Sequence, residues 1–104
     1  MKKGKNMAIA EVCIIPIGVE TSVSKYVAGC QKVLKKEESI KYSLNPMGTN
    51  IEGSPEDIFK VIRKMQESVF EKNVDRVYTI IKMDERHDKK SSMEQKIKSV
   101  NEKL

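Results

Sequence analysis

The order of apolar patterns along the chain constrains its fold more than any other sequence feature. Four segments with the character of strands are interleaved with two helical stripes, and a turn signal at Asn45-Pro46-Met47-Gly48 separates the middle two strands. This βαββαβ order predicts an α+β, ferredoxin-like sandwich in which helices cover one face of an antiparallel sheet. An additional C-terminal helix is predicted after the fourth strand. The predicted strands are 8–17, 40–45, 49–52 and 76–83, and the two main helices are 22–36 and 55–73.

Serine residues mark the predicted helix starts. Ser22 precedes the first apolar stripe, and its hydroxyl can accept a hydrogen bond from an N–H of the first turn. Ser54 precedes Pro55 and two acidic residues, which is the clearest helix-start signal in the chain. The segment 91–94, Ser-Ser-Met-Glu, resembles a capping box and opens the last helix. The charged segment 84–90 before it is predicted to be a loop.

Composition and charge exclude a nucleic-acid partner. Lys2, Lys3 and Lys5 contribute three of the five net positive charges, and the remaining charges are too mixed to form a phosphate-binding stripe. Aromatic side chains, which would stack on single-stranded bases, make up only 5% of the 104 residues. Residues 1–6 are therefore predicted to be a basic, flexible leader, and residues 7–104 a single domain.

The apolar segments are too short for a membrane partner. A bilayer-spanning helix needs about 20 consecutive apolar residues, and Glu11 interrupts the first apolar run of this chain. The same interruption argues against a signal peptide. Two cysteines without a CxxC spacing are typical of reduced residues in a cytoplasmic protein, so we expect a cytoplasmic location.

The sequence contains no recognisable arrangement for catalysis or metal binding. His87, the single histidine, lies in the charged segment and is expected to be exposed. Cys13 and Cys30 have no companion histidine at a metal-ligand spacing. The segment 48–53 begins and ends with glycine but lacks the lysine of a phosphate-binding loop. We therefore predict no catalytic residue, no metal and no cofactor.

Alternation in the first and fourth strands predicts an exposed apolar patch. Apolar residues occupy both faces of these strands, whereas helices cover only one face of the predicted sheet. Such patches usually mark an interface, so we expect the chain to associate with itself. Glu11 and Lys82 lie on the same strands. Two interpretations stay open for them, an ion pair at the sheet surface or recognition of a polar ligand at a subunit interface.

Five motifs give the chain a family resemblance. They are Pro16-x-Gly18, Ser22-x-Ser24-x-Tyr26-Val27, Tyr42-x-Leu44-x-Pro46-Met47-Gly48-Thr49-x-Ile51-Glu52-Gly53, Arg76-Val77-x-Thr79-x-Ile81-Lys82 and Asp84-x-Arg86-x-Asp88. In this order they resemble the small thiamine-binding protein family, and the resemblance extends from Met7 to Val100. The segment Pro-Met-Gly-Thr-x-Ile-Glu-Gly is the specific part of the match.

The resemblance implies a ferredoxin-like fold, dimers that often pair into tetramers, and binding of thiamine or its hydroxymethylpyrimidine moiety near a subunit interface. It implies a non-catalytic protein that carries or senses thiamine precursors. The ligand-binding positions that it implies are Glu11, Thr49 and Glu52, followed by Ser22, Tyr42 and Lys82. Carboxylates and hydroxyls suit the donor and acceptors of an aminopyrimidine, and a tyrosine can stack on its ring.

Two other functions stay open at the level of sequence. The chain is alternatively a structural or regulatory homo-oligomer that acts through protein partners without a small ligand, or an enzyme that acts on a thiamine precursor. Individual residues also have structural alternatives. Thr49 suits a strand, Glu52 suits the start of a neighbouring helix, and Tyr42 suits a core.

Overall fold

The computed structural model describes residues 6–104. The predicted basic leader lies outside these residues except for Asn6, which is exposed. The elements in chain order are β1 (Met7–Ile17), α1 (Ser24–Lys35), β2 (Lys41–Asn45), β3 (Gly48–Gly53), α2 (Pro55–Phe70), β4 (Arg76–Arg86) and α3 (Met93–Asn101). The predicted order of strands and helices is therefore confirmed.

One antiparallel sheet and two helices form the predicted ferredoxin-like sandwich. The strands lie in the order β2-β3-β1-β4, and every neighbouring pair is antiparallel. α1 and α2 pack against each other, and their buried side chains meet those of β1 and β3 in one core. Its members from the sheet are Ala8, Ala10, Val12 and Ile51, and its helical members include Tyr26, Cys30, Leu34, Ile58, Val61, Ile62, Met65 and Val69.

The other side of the sheet is here called the open face. Because side chains alternate along a strand, it carries the residues of β1 that lie between the buried Ala8, Ala10 and Val12. The cross-strand register extends this set to the neighbouring strands. The open face consists of Ile9, Glu11, Cys13 and Ile15 of β1, Asn50 and Glu52 of β3, and Tyr78, Ile80, Lys82 and Asp84 of β4.

Local sequence sets the start of α2, as predicted. Ser54 has an extended backbone and occupies the N-cap position, where its Oγ accepts a hydrogen bond from the Asp57 N–H at 3.1 Å. Pro55 follows at the first helical position, where a missing N–H is harmless, and the acidic side chains of Glu56 and Asp57 suit the helix dipole. This start directs the apolar stripe of α2 towards the sheet.

Ser54→Ala is expected to lower the free energy of unfolding by about 1 kcal/mol, because it removes the cap of a helix that supplies much of the core. Ser92→Ala is the matched control. Ser92 caps α3 in the same way, with its Oγ accepting from the Gln95 N–H at 3.0 Å, but α3 has no buried residue. Urea denaturation at one protein concentration measures both variants. If both variants lowered the free energy of unfolding equally, α3 would contribute as much to stability as α2, and the prediction would be wrong.

The prediction that Ser22 caps α1 is wrong. α1 begins at Ser24, its N-cap position is Val23, and no side chain caps it. Ser22 stands one residue further from the helix, beyond the position from which a hydroxyl caps the first turn. The Val23 carbonyl instead accepts hydrogen bonds from the N–H groups of Tyr26 and Val27, at 3.0 and 3.1 Å, which closes the first turn through the backbone alone.

The fourth strand is longer than predicted. β4 continues through Arg86, so residues 84–86 are strand and not loop. The cause is β1, which begins at Met7 and supplies partners for Arg86, Glu85 and Asp84. Charged side chains are tolerated here because β4 is an edge strand with much of its surface in solvent.

α3 is held to the sheet by polar contacts. The Met93 N–H donates to Glu52 Oε1 at 2.8 Å, and Lys96 Nζ lies 2.7 Å from Asp84 Oδ2. Both acceptors belong to the open face, so the first turn of α3 lies over that face. An apolar stripe along this helix, formed by Ile97 and Val100 and continued by Leu104 after the helix ends, faces solvent instead of a core.

Among residues 6–104, no helix has both the length and the apolar character needed to cross a membrane.

Candidate functional site

An ion pair occupies the middle of the open face. Glu11 and Lys82 are direct partners in the β1–β4 register, and Lys82 Nζ lies 3.1 Å from Glu11 Oε1. The Lys82 side chain is 75% exposed and the Glu11 side chain 37%, so water screens their attraction and the pair contributes little to stability. The predicted ion pair between Glu11 and Lys82 is therefore confirmed. These two predicted ligand-binding residues lie together on the open face.

Glu52 also lies on the open face but is already engaged. Only 7% of the residue is exposed, and its carboxylate accepts the hydrogen bond from the Met93 N–H. A carboxylate is favourable at a helix N-terminus, where the backbone N–H groups point outward. Glu52 therefore meets a helix start, but it is that of α3, which begins 41 residues further along the chain, and not that of the neighbouring α2, as its position predicted.

Thr49 lies on the helix-covered side of the sheet, away from Glu11 and Glu52. It pairs with the core residue Val12, and only 5% of it is exposed. Gln31, on α1, reaches down to the strand, and its Nε2 donates a hydrogen bond to Thr49 Oγ1 at 3.1 Å. The threonine hydroxyl accepts this bond and keeps its own hydrogen to donate.

Tyr42 and Ser22 occupy two further places. Tyr42 pairs with the core residue Ile51, so it lies on the helix-covered side of the edge strand β2, where it is partly exposed. Ser22 is exposed in the connection between β1 and α1. The predicted ligand-binding residues are therefore divided between two faces of the sheet and a loop.

A cavity of about 360 Å³ lies beside Thr49. It forms where β1 runs on to Ile17 beyond its last pair with β3, Val12–Thr49. α1 covers one side and the β2–β3 hairpin covers another. Apart from Gln31 and Thr49, its lining includes Cys13 and Ile15 of β1, Val27 and Cys30 of α1, and Leu44 and Met47 of the hairpin. Cys13 and Ile15, which belong to the open face, are thus among the residues that line the cavity at this free edge of β1.

Glycine at position 48 lets the hairpin close against β1. A Cβ atom at Gly48 would stand 3.2 Å from Cys13 Sγ, 3.3 Å from Glu11 Cγ and 3.3 Å from the Val12 carbonyl oxygen. The Cys13 thiol donates to the Met47 carbonyl at 3.0 Å across the same junction. This wall of the cavity is thus formed by close approach of two backbones.

The cavity lining carries no formal charge. Every side chain that lines it is neutral, and its polar groups are amides, a hydroxyl and thiols. Burial raises the pKa of the Cys30 thiol, although a contact with Ser68 partly opposes the shift. Cys30 therefore stays protonated and neutral at physiological pH. An apolar lining with a few polar groups suits a small uncharged ring.

The single histidine lies far from this cavity. His87 follows β4 directly, at the end of this strand that pairs with Met7 of β1. Its Nε2 lies 2.7 Å from Glu85 Oε2 at the exposed surface. The cavity adjoins the other end of β1. Within residues 6–104, no cluster of three or more His, Cys, Asp or Glu side chains is placed to hold a metal ion.

Gln31 is the site residue that the sequence analysis missed. It follows Val27 by four positions and precedes Leu34 by three, so it falls within the inward stripe of α1. A polar residue in such a stripe was the available signal. The same contact recurs in the second half of the fold, where Gln66 Nε2 on α2 donates to Thr79 Oγ1 at 3.0 Å, but those two residues are not among those that line the cavity.

Comparison with known sequences identifies the family. A sequence model described as thiamine-binding protein matches residues 10–101. The chain belongs to the thiamine-binding protein family. The name refers to binding and not to a reaction, and membership indicates a small-molecule-binding role.

Relatives of this family member cover nearly its whole length. A UPF0045 protein of Bacillus subtilis is 54% identical over 102 residues, which is 94% of this chain and 98% of the relative. A UPF0045 protein of Staphylococcus xylosus is 43% identical over 102 residues, covering 94% of this chain and 95% of the relative.

Solved structures confirm the fold of this thiamine-binding-family chain. The crystal structure of a hypothetical protein of Methanocaldococcus jannaschii has a TM-score of 0.84 and 42% identity, over 92% of this chain and 97% of that one. A Thermotoga maritima protein, described provisionally as a thiamine biosynthesis/salvage protein, has a TM-score of 0.74 over 90% of this chain and 98% of its own. At 16% identity, the second likeness shows the fold alone.

Proposed function

We propose that this protein binds thiamine or its hydroxymethylpyrimidine moiety without a chemical step, and that the ligand enters the cavity beside Thr49. The observation that carries the proposal is an uncharged cavity that contains the hydrogen-bonded side chains of Gln31 and Thr49, in a member of the thiamine-binding protein family. Its volume falls within the range of about 300–1,000 Å³ that is typical of small-molecule sites. In this proposal the protein carries or senses thiamine precursors in the cytoplasm.

The second part of the proposal is that a second copy of the chain covers the open face. Tyr78 and Ile80 expose large apolar surfaces there, beside the half-buried Ile15. Exposed apolar patches of this kind favour association. Because Cys13 and Ile15 of the open face are among the residues that line the cavity, a second copy on that face would place the ligand next to the subunit interface. The exposed apolar stripe of α3 offers a further surface through which dimers could pair into tetramers.

Thr49→Val is expected to weaken thiamine binding about tenfold. The substitution preserves the shape of the side chain but removes the hydroxyl that the ligand would contact, and a ligand group left unpaired in the cavity costs about 1–3 kcal/mol of binding free energy. Thr79→Val is the matched control, because it breaks the corresponding contact with Gln66 away from the cavity. Isothermal titration with thiamine, its phosphates and hydroxymethylpyrimidine measures both variants.

Other results would contradict the proposal. A ligand that binds the native state must raise its stability, so neither heat nor a melting shift with any of these compounds would favour a structural or regulatory homo-oligomer instead. Equal weakening by Thr79→Val would place the effect in the fold and not in the site. Mass spectrometry after incubation should recover the ligand unchanged, and a converted product would favour an enzyme.

A further inference from the structure

We propose that α3 is a strap that opens and closes over one end of the open face while the core of the domain stays folded, and that Glu52 is its principal anchor. This strap concerns the attachment of a helix and not the cavity, so it goes beyond the proposed function and does not depend on a ligand. It follows from where α3 is anchored, what it buries and how long it is.

α3 is anchored on both sides of one row of the open face. Ile9 of β1 pairs with Glu52 of β3 on one side and with Asp84 of β4 on the other, so these three side chains lie side by side across the sheet. The Met93 N–H donates to Glu52 Oε1 at 2.8 Å, and Lys96 Nζ lies 2.7 Å from Asp84 Oδ2. The first turn of α3 therefore connects the two outer residues of the row. Opening of the strap uncovers this row and frees the Glu52 carboxylate.

The two anchors differ in strength. Only 7% of Glu52 is exposed, so the hydrogen bond that its carboxylate accepts is largely protected from water. Hydrogen bonds to charged groups are stronger than those between neutral groups. The ion pair is open to solvent, since 45% of the Lys96 side chain and 54% of the Asp84 side chain are exposed, and such pairs contribute little. Glu52 is therefore the stronger anchor, and the ion pair adds a smaller part that salt weakens.

α3 buries no residue of its own. None of the residues Met93–Asn101 is buried, and the side chains of Ile97 and Val100 are more than half exposed. Removal of α3 from the sheet therefore exposes little apolar surface, whereas α1 and α2 cannot leave without exposing the core. Segments with few buried apolar contacts open at a lower free energy than the whole domain. We therefore expect α3 to open while the rest of the domain stays folded.

The length of α3 makes its opening observable. The helix has nine residues, and an isolated helix shorter than about 12–15 residues is marginal in water. A detached α3 should therefore unwind, and its backbone amide hydrogens should exchange with solvent. The Met93 amide is the most direct reporter of the closed strap. It lies at the start of the helix, where N–H groups have no partner within the helix, and it donates to Glu52 instead.

The test is native-state hydrogen exchange, measured for each amide by NMR at one protein concentration. In the wild-type chain, we expect the amides of α3 to exchange at least about 100-fold faster than the slowest amides of β1, after correction for intrinsic rates. Glu52→Ala removes the stronger anchor and should speed exchange of α3 at least about tenfold further, with β1 unchanged. Lys96→Met should speed it by a smaller factor. Lys98→Met is the matched control, because the Lys98 side chain has no partner among residues 6–104.

Salt provides a second measurement that needs no change at Glu52. Raising NaCl from about 0.05 M to about 0.5 M should speed exchange of α3 in the wild-type chain but not in Lys96→Met, because the exposed ion pair is screened. If the amides of α3 exchange no faster than the slowest amides of β1, the helix opens only with the whole domain and the proposal is overturned. Equal acceleration of α3 and β1 by Glu52→Ala also overturns it. Should Glu52→Ala not fold, the wild-type comparison and the salt dependence decide. Ligand binding is titrated separately, so each result leaves the proposed function untouched.

Discussion

An Ile80→Glu variant is expected to be monomeric at protein concentrations at which the wild-type chain is a dimer. Ile80 lies opposite Cys13 on the open face, next to Tyr78, and 43% of it is exposed in the single chain. A dimer that covers this face would bury the new carboxylate among apolar side chains, at a cost of a few kcal/mol or more. We expect the dimer dissociation constant to rise at least about 100-fold, as measured by analytical ultracentrifugation.

Phe59→Glu is the control for this experiment. Phe59 is 54% exposed and lies on α2, in the helical layer on the other side of the sheet. A carboxylate at this position should leave association unchanged if the open face is the interface. Dissociation by Phe59→Glu and not by Ile80→Glu would move the interface to the helical layer, and a wild-type chain that is monomeric at every concentration would remove the proposal of self-association.

Ile58→Ala is expected to lower the free energy of unfolding by about 2–5 kcal/mol. Ile58 is fully buried on the inward stripe of α2, so the smaller side chain would leave a cavity between that helix and the sheet. For a domain of this size, such a loss is a large fraction of the total stability. Guanidinium denaturation measures the loss, at a protein concentration held equal between variants because association also contributes to stability.

Phe59→Ala is the adjacent control on the same helix. Phe59 is larger than Ile58 but more than half exposed, so its truncation should cost less than about 1 kcal/mol. If both truncations cost the same, the register of α2 against the sheet would differ from the one described. The pair therefore tests the position of the core independently of any ligand.

The sequence predicted features that are decided locally. Ser54 and Pro55 lie next to each other and act on the turn that follows them, so their effect on α2 needs no knowledge of the rest of the fold. Ser22 looked equally suitable, but the helix begins two residues later and closes its first turn through the Val23 carbonyl. A cap within two residues of its true position is the usual precision of such signals.

The site was harder to predict because it depends on contacts between distant segments. Gln31 and Thr49 are 18 positions apart, and only the packing of α1 over β3 brings them together. Thr49 and Glu52 lie on opposite faces of the sheet because they are three positions apart on one strand. Which face each one takes is set by the register with β1, and a shift of one residue would exchange them. The end of β4 likewise depended on where β1 begins, which the charged residues of 84–86 do not reveal.

The close approach of Gly48 to β1 has a consequence for how ligand preference can diversify. A Cβ atom at Gly48 would lie 3.3 Å from the Val12 carbonyl oxygen, so a larger residue does not fit there unless the backbone moves. This wall of the cavity is therefore difficult to reshape by substitution. Positions along α1 on the opposite wall, such as Val27 and Gln31, carry ordinary side chains that can be exchanged without moving a strand. Descendants of this protein that acquire new ligands should therefore differ first along that helix, while the hairpin is retained.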